Sequence, residues 1–97
     1  MQIIQLYKEE IAEIKQLFIK AELDIDNIDF IYQKEYEFEY QIMYVTVSGD
    51  YDKMEQFIHR SLENFKEQHQ ANIGVDYMRR DLRKGRSIIM YEFWRYY

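Results

Sequence analysis

The chain has 97 residues, enough for one hydrophobic core and too few for two, so we expect a single domain over residues 1–97. Its 47% hydrophobic and 32% charged residues are typical of a globular protein and exclude a disordered chain. The lack of cysteine excludes disulfides and thiolate nucleophiles, and the net charge of −5 disfavours a nucleic-acid binder.

The first half of the chain predicts one helix and two strands. Apolar residues recur every three or four positions from Ile3 to Ala21, the spacing of one helix face. Residues Ile28–Gln33 alternate as a strand does, and a tight turn near Lys34 leads into Tyr36–Ser48. This second strand first alternates aromatic and acidic residues and then becomes apolar on both faces, which is typical of a central strand covered on two sides.

The second half predicts a helix and two further strands. Helical spacing covers Asp50–Gln70, where Asp50 or Ser48 is a suitable N-cap. The strands Ile73–Arg80 and Ser87–Tyr97 flank a charged loop in which Gly85 can adopt the positive φ of a hairpin turn. The order α-β-β-α-β-β predicts an α+β two-layer sandwich. Two helices would cover one face of a four-stranded, mainly antiparallel sheet, like a circularly permuted ferredoxin fold.

Two helices leave the other face of that sheet open. The last strand is apolar on both faces, and the chain contains ten tyrosines, whose hydroxyl groups favour a wet surface over a dry core. An open apolar face of this size favours a partner, so we predict a homodimer. The predicted interface residues are Tyr44, Tyr91, Phe93, Trp94 and Tyr96. Trp94 is expected near the centre; the alternative is that Trp94 packs under the helices and Phe93 faces outward.

Acidic residues are concentrated early in the chain. Residues 1–70 contain 15 acidic and 7 basic side chains, and one group of carboxylates lies on the first predicted hairpin and its approach. The group comprises Asp24, Asp26, Asp29, Glu35, Glu37 and Glu39. Alternate carboxylates on a strand lie roughly 6.6 Å apart. Such a row can compete for a basic surface that binds phosphates, which makes it the predicted partner-binding surface. The alternative is a charged edge that deters aggregation.

Basic residues cluster around the last predicted hairpin. They are Arg79, Arg80, Arg83, Lys84 and Arg86. Such a cluster could contact nucleic-acid phosphates. Pairing with the acidic hairpin, within the chain or across a dimer, explains the cluster equally well, so nucleic acid is the second choice of partner.

The sequence contains no recognisable catalytic, metal or cofactor motif. His59 and His69 are ten residues apart on one predicted helix and do not share a face as metal ligands must. No two glycines lie close enough for a phosphate-binding loop. We therefore predict a non-enzymatic protein without cofactor. No apolar run reaches the roughly 20 residues of a membrane span, so a cytoplasmic location is expected.

The C-terminal run Ile88–Arg95 (IIMYEFWR) is an apolar strand that ends in Phe-Trp-Arg. It resembles the terminal strand of the small type I-D anti-CRISPR proteins of archaeal rod-shaped viruses, which are also short, acidic and rich in tyrosine. The resemblance implies an α/β inhibitor that binds a CRISPR effector subunit in the host cytoplasm. The expected function is thus a viral or mobile-element inhibitor, acting as a DNA mimic on a basic surface of a host defence effector. The alternatives are a small nucleic-acid-binding protein and a structural assembly subunit.

Overall fold

The computed structural model describes the backbone of residues 3–35, 38–70, 72–82 and 85–96, and the side chains of these except 3, 4, 33, 35 and 38–40. Two helices and five strands alternate along the chain. They are β1 (Ile3–Ile4), α1 (Lys8–Lys20), β2 (Asp24–Glu35), β3 (Phe38–Gly49), α2 (Tyr51–Gln68), β4 (Ile73–Asp81) and β5 (Ser87–Tyr96).

The strands form one sheet in the order β2-β3-β5-β4, with every neighbouring pair antiparallel. The short β1 pairs with the last residues of β5. Because Arg95 is the register partner of both Ile4 and Ile73, β1 and β4 lie on opposite edges of β5. The α+β prediction of two helices and a four-stranded antiparallel sheet is confirmed, and the strand order agrees with a permuted ferredoxin fold. The two-residue β1 was not predicted.

Helix α1 begins at Lys8, five residues later than predicted. The backbone N–H of Tyr7 donates to Glu10 Oε1 at 2.7 Å, the reciprocal contact of a capping box, and this fixes the start of the helix. Ile3 lies in β1, so the apolar spacing that suggested an earlier start serves the sheet instead. The helix ends at Lys20 with Ala21 as its C-cap, and Glu22 follows with a φ of +58°.

In the second half of the chain, the start of α2 and the turn between β4 and β5 lie where the sequence predicted them. Asp50 caps α2 by accepting from the Lys53 backbone N–H at 3.3 Å, as predicted. Gly85 has a φ of +73° between β4 and β5, which is the positive value predicted for this turn.

The core lies between the two helices and one face of the sheet. Phe18 is fully buried, with ring centroids 4.9 Å from Tyr91 and 6.3 Å from Phe93. The other large buried side chains of this layer are Ile14, Leu17, Met43, Val45, Val47, Ile58, Leu62, Phe65 and Ile89. Alternate residues on β3 and β5 therefore face the helices, and their neighbours face the opposite side of the sheet.

Candidate functional site

The far end of the β2–β3 hairpin continues beyond its pairing with β5. Register pairing between β2 and β3 extends to Glu35 and Phe38, whereas β5 pairs with β3 only as far as Met43. The side chains of Phe30 and Ile31 are each 40% exposed and that of Tyr32 is 68% exposed. We call residues 30–35 and 38–41 the hairpin arm. It is a two-stranded ribbon at one end of a molecule that measures 46 × 25 × 18 Å.

The base of the hairpin arm is attached to the N-terminal segment through Gln41. Its buried side chain accepts a hydrogen bond from the Leu6 backbone N–H at 3.0 Å. The same amide group donates to the Tyr32 hydroxyl at 3.0 Å. Since an isolated two-stranded hairpin is only marginally stable in water, this anchor helps to hold the arm in a fixed direction.

The predicted acidic cluster is divided along the length of β2. Asp24 Oδ2 lies 3.6 Å from Arg86 Nη2, at the end of the sheet opposite the hairpin arm. Eleven residues separate Asp24 from Glu35, a distance of roughly 36 Å along an extended strand. The six carboxylates therefore cannot form one contact patch, because β2 is longer than the sequence suggested.

The remaining acidic residues take three different positions. Asp26 is exposed at a β-bulge, where the register shifts between Ile25 and Asn27. Asp29 accepts a hydrogen bond from Asn27 Nδ2 at 2.7 Å in the middle of the strand. The prediction for Glu37 lies outside the described residues, as do the side chains of Glu35 and Glu39.

Part of the predicted basic cluster is bound by carboxylates within the chain. Arg79 contacts both Asp52 and Asp81 at 2.6 Å, and its guanidinium lies 4.9 Å from the centre of the Tyr51 ring. These hydrogen bonds raise the pKa of Arg79 and lower the pKa of Asp81. Arg80 is exposed and forms no ion pair within the described part of the chain. The predictions for Arg83 and Lys84 lie outside the described residues.

The predicted dimer residues fall on both faces of the sheet. Tyr91 and Phe93 are fully buried under the helices, so their assignment to an interface was wrong. Trp94 faces the other way, and a Cβ atom at Gly74 would lie only 2.1 Å from its Cε2 atom, so the indole covers the glycine. The ring of Tyr96 lies 6.3 Å from that of Trp94 on the same face.

We call the side of the sheet opposite the helices the open sheet face. Three rows of register partners cross it from β2 to β4. They are the arginine row (Asp24, Ser48, Ile88 and Arg80), the methionine row (Asn27, Thr46, Met90 and Met78) and the carboxylate row (Asp29, Tyr44, Glu92 and Asp76). Met78 is 73% exposed and Met90 is 43% exposed. Glu92 and Asp76 are direct cross-strand neighbours, an unfavourable like-charge pair that lacks an ion-pair partner among the described residues.

A buried polar network joins the two ends of the chain. Glu10 is 1% exposed and accepts a hydrogen bond from Arg95 Nη1, while Arg95 lies 4.3 Å above the centre of the Tyr7 ring. His69 bridges two carboxylates, with Nδ1 at 3.3 Å from Glu10 and Nε2 at 2.9 Å from Glu13. These contacts connect the C-terminal end of α2 to the first turns of α1.

A second buried chain of hydrogen bonds links β5 to α2. Tyr91 donates to the Tyr51 hydroxyl at 3.3 Å, and Tyr51 lies 3.1 Å from His59 Nε2. Burial raises the pKa of both tyrosines, so neither supplies a phenolate near neutral pH. The described residues contain no group of three or more side chains suited to a metal ion.

The two helices are separated by a shallow groove of about 480 Å³ on the surface remote from the sheet. Leu17, Phe57 and Phe65 form its apolar part, and glutamine, asparagine, serine and lysine side chains form its rim.

No family model and no curated protein matches this chain. Among solved structures, it is similar to the type 4 fimbrial biogenesis protein PilO from Pseudomonas aeruginosa, with a TM-score of 0.54 and 14% identity. The match covers 92% of this chain and 67% of the PilO chain. At this identity, the likeness supports the α+β fold alone. Within the described residues, neither helix has the length and apolarity needed to cross a membrane.

Proposed function

We propose that this chain is a non-enzymatic binding module whose hairpin arm engages a basic surface on a partner protein. The observation that carries the proposal is the arm itself, a ribbon that extends beyond its pairing with β5 and exposes Ile31 and Tyr32, with the exposed Phe30 at its base. In the sequence, Glu35, Glu37 and Glu39 alternate with aromatic residues along this same segment.

Carboxylates and aromatic rings together suit a surface rich in arginine and lysine. Charge-assisted hydrogen bonds recognise the carboxylates, and the rings accept cations on their faces. An acidic ribbon would also steer a basic partner during encounter and so accelerate association. The most concrete form of the proposal is an inhibitor that occupies the nucleic-acid-binding surface of a host defence effector, the class of target that the resemblance of Ile88–Arg95 implies.

The internal contacts of the basic hairpin support a protein partner over nucleic acid. Arg79 is already bound by Asp52 and Asp81, and Arg86 lies near Asp24. A phosphate would have to displace these carboxylates. The net charge of −5 adds a general repulsion of polyanions.

Two variants with the same total charge test the proposal. The arm variant replaces Glu35, Glu37 and Glu39 with Gln; the control variant replaces three exposed helix residues, Glu9, Glu63 and Glu67, with Gln. Each change removes three negative charges from a net charge of −5, which leaves −2 in both cases. A partner is first identified by affinity capture with the wild-type chain from host lysate, and its association rate is then measured by surface plasmon resonance.

We expect the control variant to associate with that partner as the wild type does, and the arm variant to associate at least tenfold more slowly. Equal rates for the wild type and the arm variant would contradict the proposal and leave the arm carboxylates as edge protection. Equal slowing of both variants would show that total charge, rather than the arm, controls binding.

A further inference from the structure

The open sheet face combines exposed methionine side chains with opposite charges at its two edges. Four strands about 4.8 Å apart and three rows about 6.7 Å apart give it a flat footprint on the order of 400 Å². The accessible area around the projecting side chains exceeds this footprint, and a typical stable interface buries about 800 Å² per partner.

The arginine row of this face is complementary to itself. In the arginine row, Asp24 occupies one edge of the sheet and Arg80 occupies the other. A two-fold axis that lies between two facing sheets and runs parallel to the strands brings β2 of one copy opposite β4 of the other. Each row then faces the same row of the second copy. Asp24, which also lies 3.6 Å from Arg86 of its own copy, faces Arg80 twice, once on each edge.

The same axis places Glu92 opposite Tyr44 of the second copy, so the central carboxylate meets a tyrosine instead of another carboxylate. Asp29 faces Asp76, but both lie on edge strands, where water screens their repulsion. A two-fold axis perpendicular to the strands would instead reverse the order of the rows. It would place Glu92 against Ile88 and leave a carboxylate covered without a polar partner, which is costly.

We infer that the open sheet face binds a second copy of this chain, with the two-fold axis parallel to the strands and Asp24 paired with Arg80 across the interface. The two sheets would form a sandwich with helices on both outer sides, and sheets packed in this way keep their strands within about 30° of each other. Trp94, held over Gly74, supplies a large aromatic surface of the kind that anchors such interfaces. The hairpin arms lie at one end of the dimer, where they remain accessible to the partner protein of the proposed function.

Charge exchange across the interface tests this geometry. Sedimentation velocity is measured over a range of concentrations for the wild type, Arg80→Asp, Asp24→Arg and the double variant that carries both changes. The control is Arg60→Asp, which makes the same charge change as Arg80→Asp at an exposed position on α2. Circular dichroism verifies that each variant is folded.

The wild type and the control should be dimers. Each single interface variant should dimerise at least tenfold more weakly, because two like-charge contacts replace two ion pairs, and the double variant should recover the dimer because the pairs are restored with reversed polarity. A wild type that is monomeric at every concentration would overturn the inference. A double variant no stronger than the single variants would overturn the predicted axis.

Discussion

The buried pair of Glu10 and Arg95 offers a stringent test of the fold. Replacing Glu10 with Gln keeps the size of the side chain and an oxygen that can accept from the Tyr7 backbone N–H. The change removes the charge that faces Arg95, whose side chain is only 14% exposed. Loss of one partner from a buried ion pair typically costs about 3 to 5 kcal/mol. We expect about 3 kcal/mol here, because the capping contact survives.

The free energy of unfolding is measured by urea titration monitored by circular dichroism, at one fixed protomer concentration because self-association contributes to stability. For a domain of this size, a loss of about 3 kcal/mol lowers the melting temperature by at least about 12 °C. The exposed neighbour variant Glu9→Gln serves as control. Adding Arg95→Met to Glu10→Gln should recover part of the loss, because the unpaired guanidinium is removed. A cost of Glu10→Gln below about 0.5 kcal/mol would refute the reasoning, since surface changes have that size.

Three further outcomes are expected. Fluorescence anisotropy should detect negligible binding of DNA or RNA near physiological salt; a salt-sensitive affinity that Arg80→Ala removes would contradict this. Burial raises the pKa of Tyr51 and Tyr91, so the unfolded chain loses these protons at lower pH than the folded chain. Their contribution to stability should therefore be complete below about pH 10 and fall above it, and Tyr51→Phe should flatten that fall in alkaline unfolding titrations. Phe93→Glu should abolish the folded circular dichroism signal because it buries a charge, whereas Trp94→Glu should remain folded and sediment as a monomer.

Local signals in the sequence predicted the helices and turns that depend on neighbouring residues. The cap at Asp50 and the positive φ of Gly85 were both found where the sequence placed them. These features form between residues a few positions apart, so composition and spacing are sufficient evidence. The start of α1 was missed because Ile3 satisfies the helix spacing and also pairs with β5, and only the tertiary structure selects between the two.

The sequence could not decide which face of β5 is inside. Both faces are apolar, so alternation alone does not show whether the side chain of Phe93 or that of Trp94 lies in the core. The packing of each side chain against its neighbours determines the orientation. Phe18 on α1 packs against Phe93, while Gly74 on β4 leaves the space that the indole of Trp94 fills.

Long-range polar contacts gave no sequence signal. Glu10 lies in a charged stretch near the N-terminus and resembles a solvated helix residue, yet its partner Arg95 is 85 positions away. The predicted acidic residues do not lie together, for a related reason. Proximity in sequence between Asp24 and Glu35 becomes a large separation once the segment is fully extended in β2.

The central claim is that the hairpin arm contacts the partner, and hydrogen–deuterium exchange with mass spectrometry tests it most directly. Exchange is compared for the chain alone and in complex with the partner identified by affinity capture, at concentrations where the self-associated state is the same in both samples. The account predicts slower exchange in peptides that cover residues 30–41, with α1 and α2 unchanged. Protection confined to the groove between the helices, or to the segment around Arg80, would contradict it.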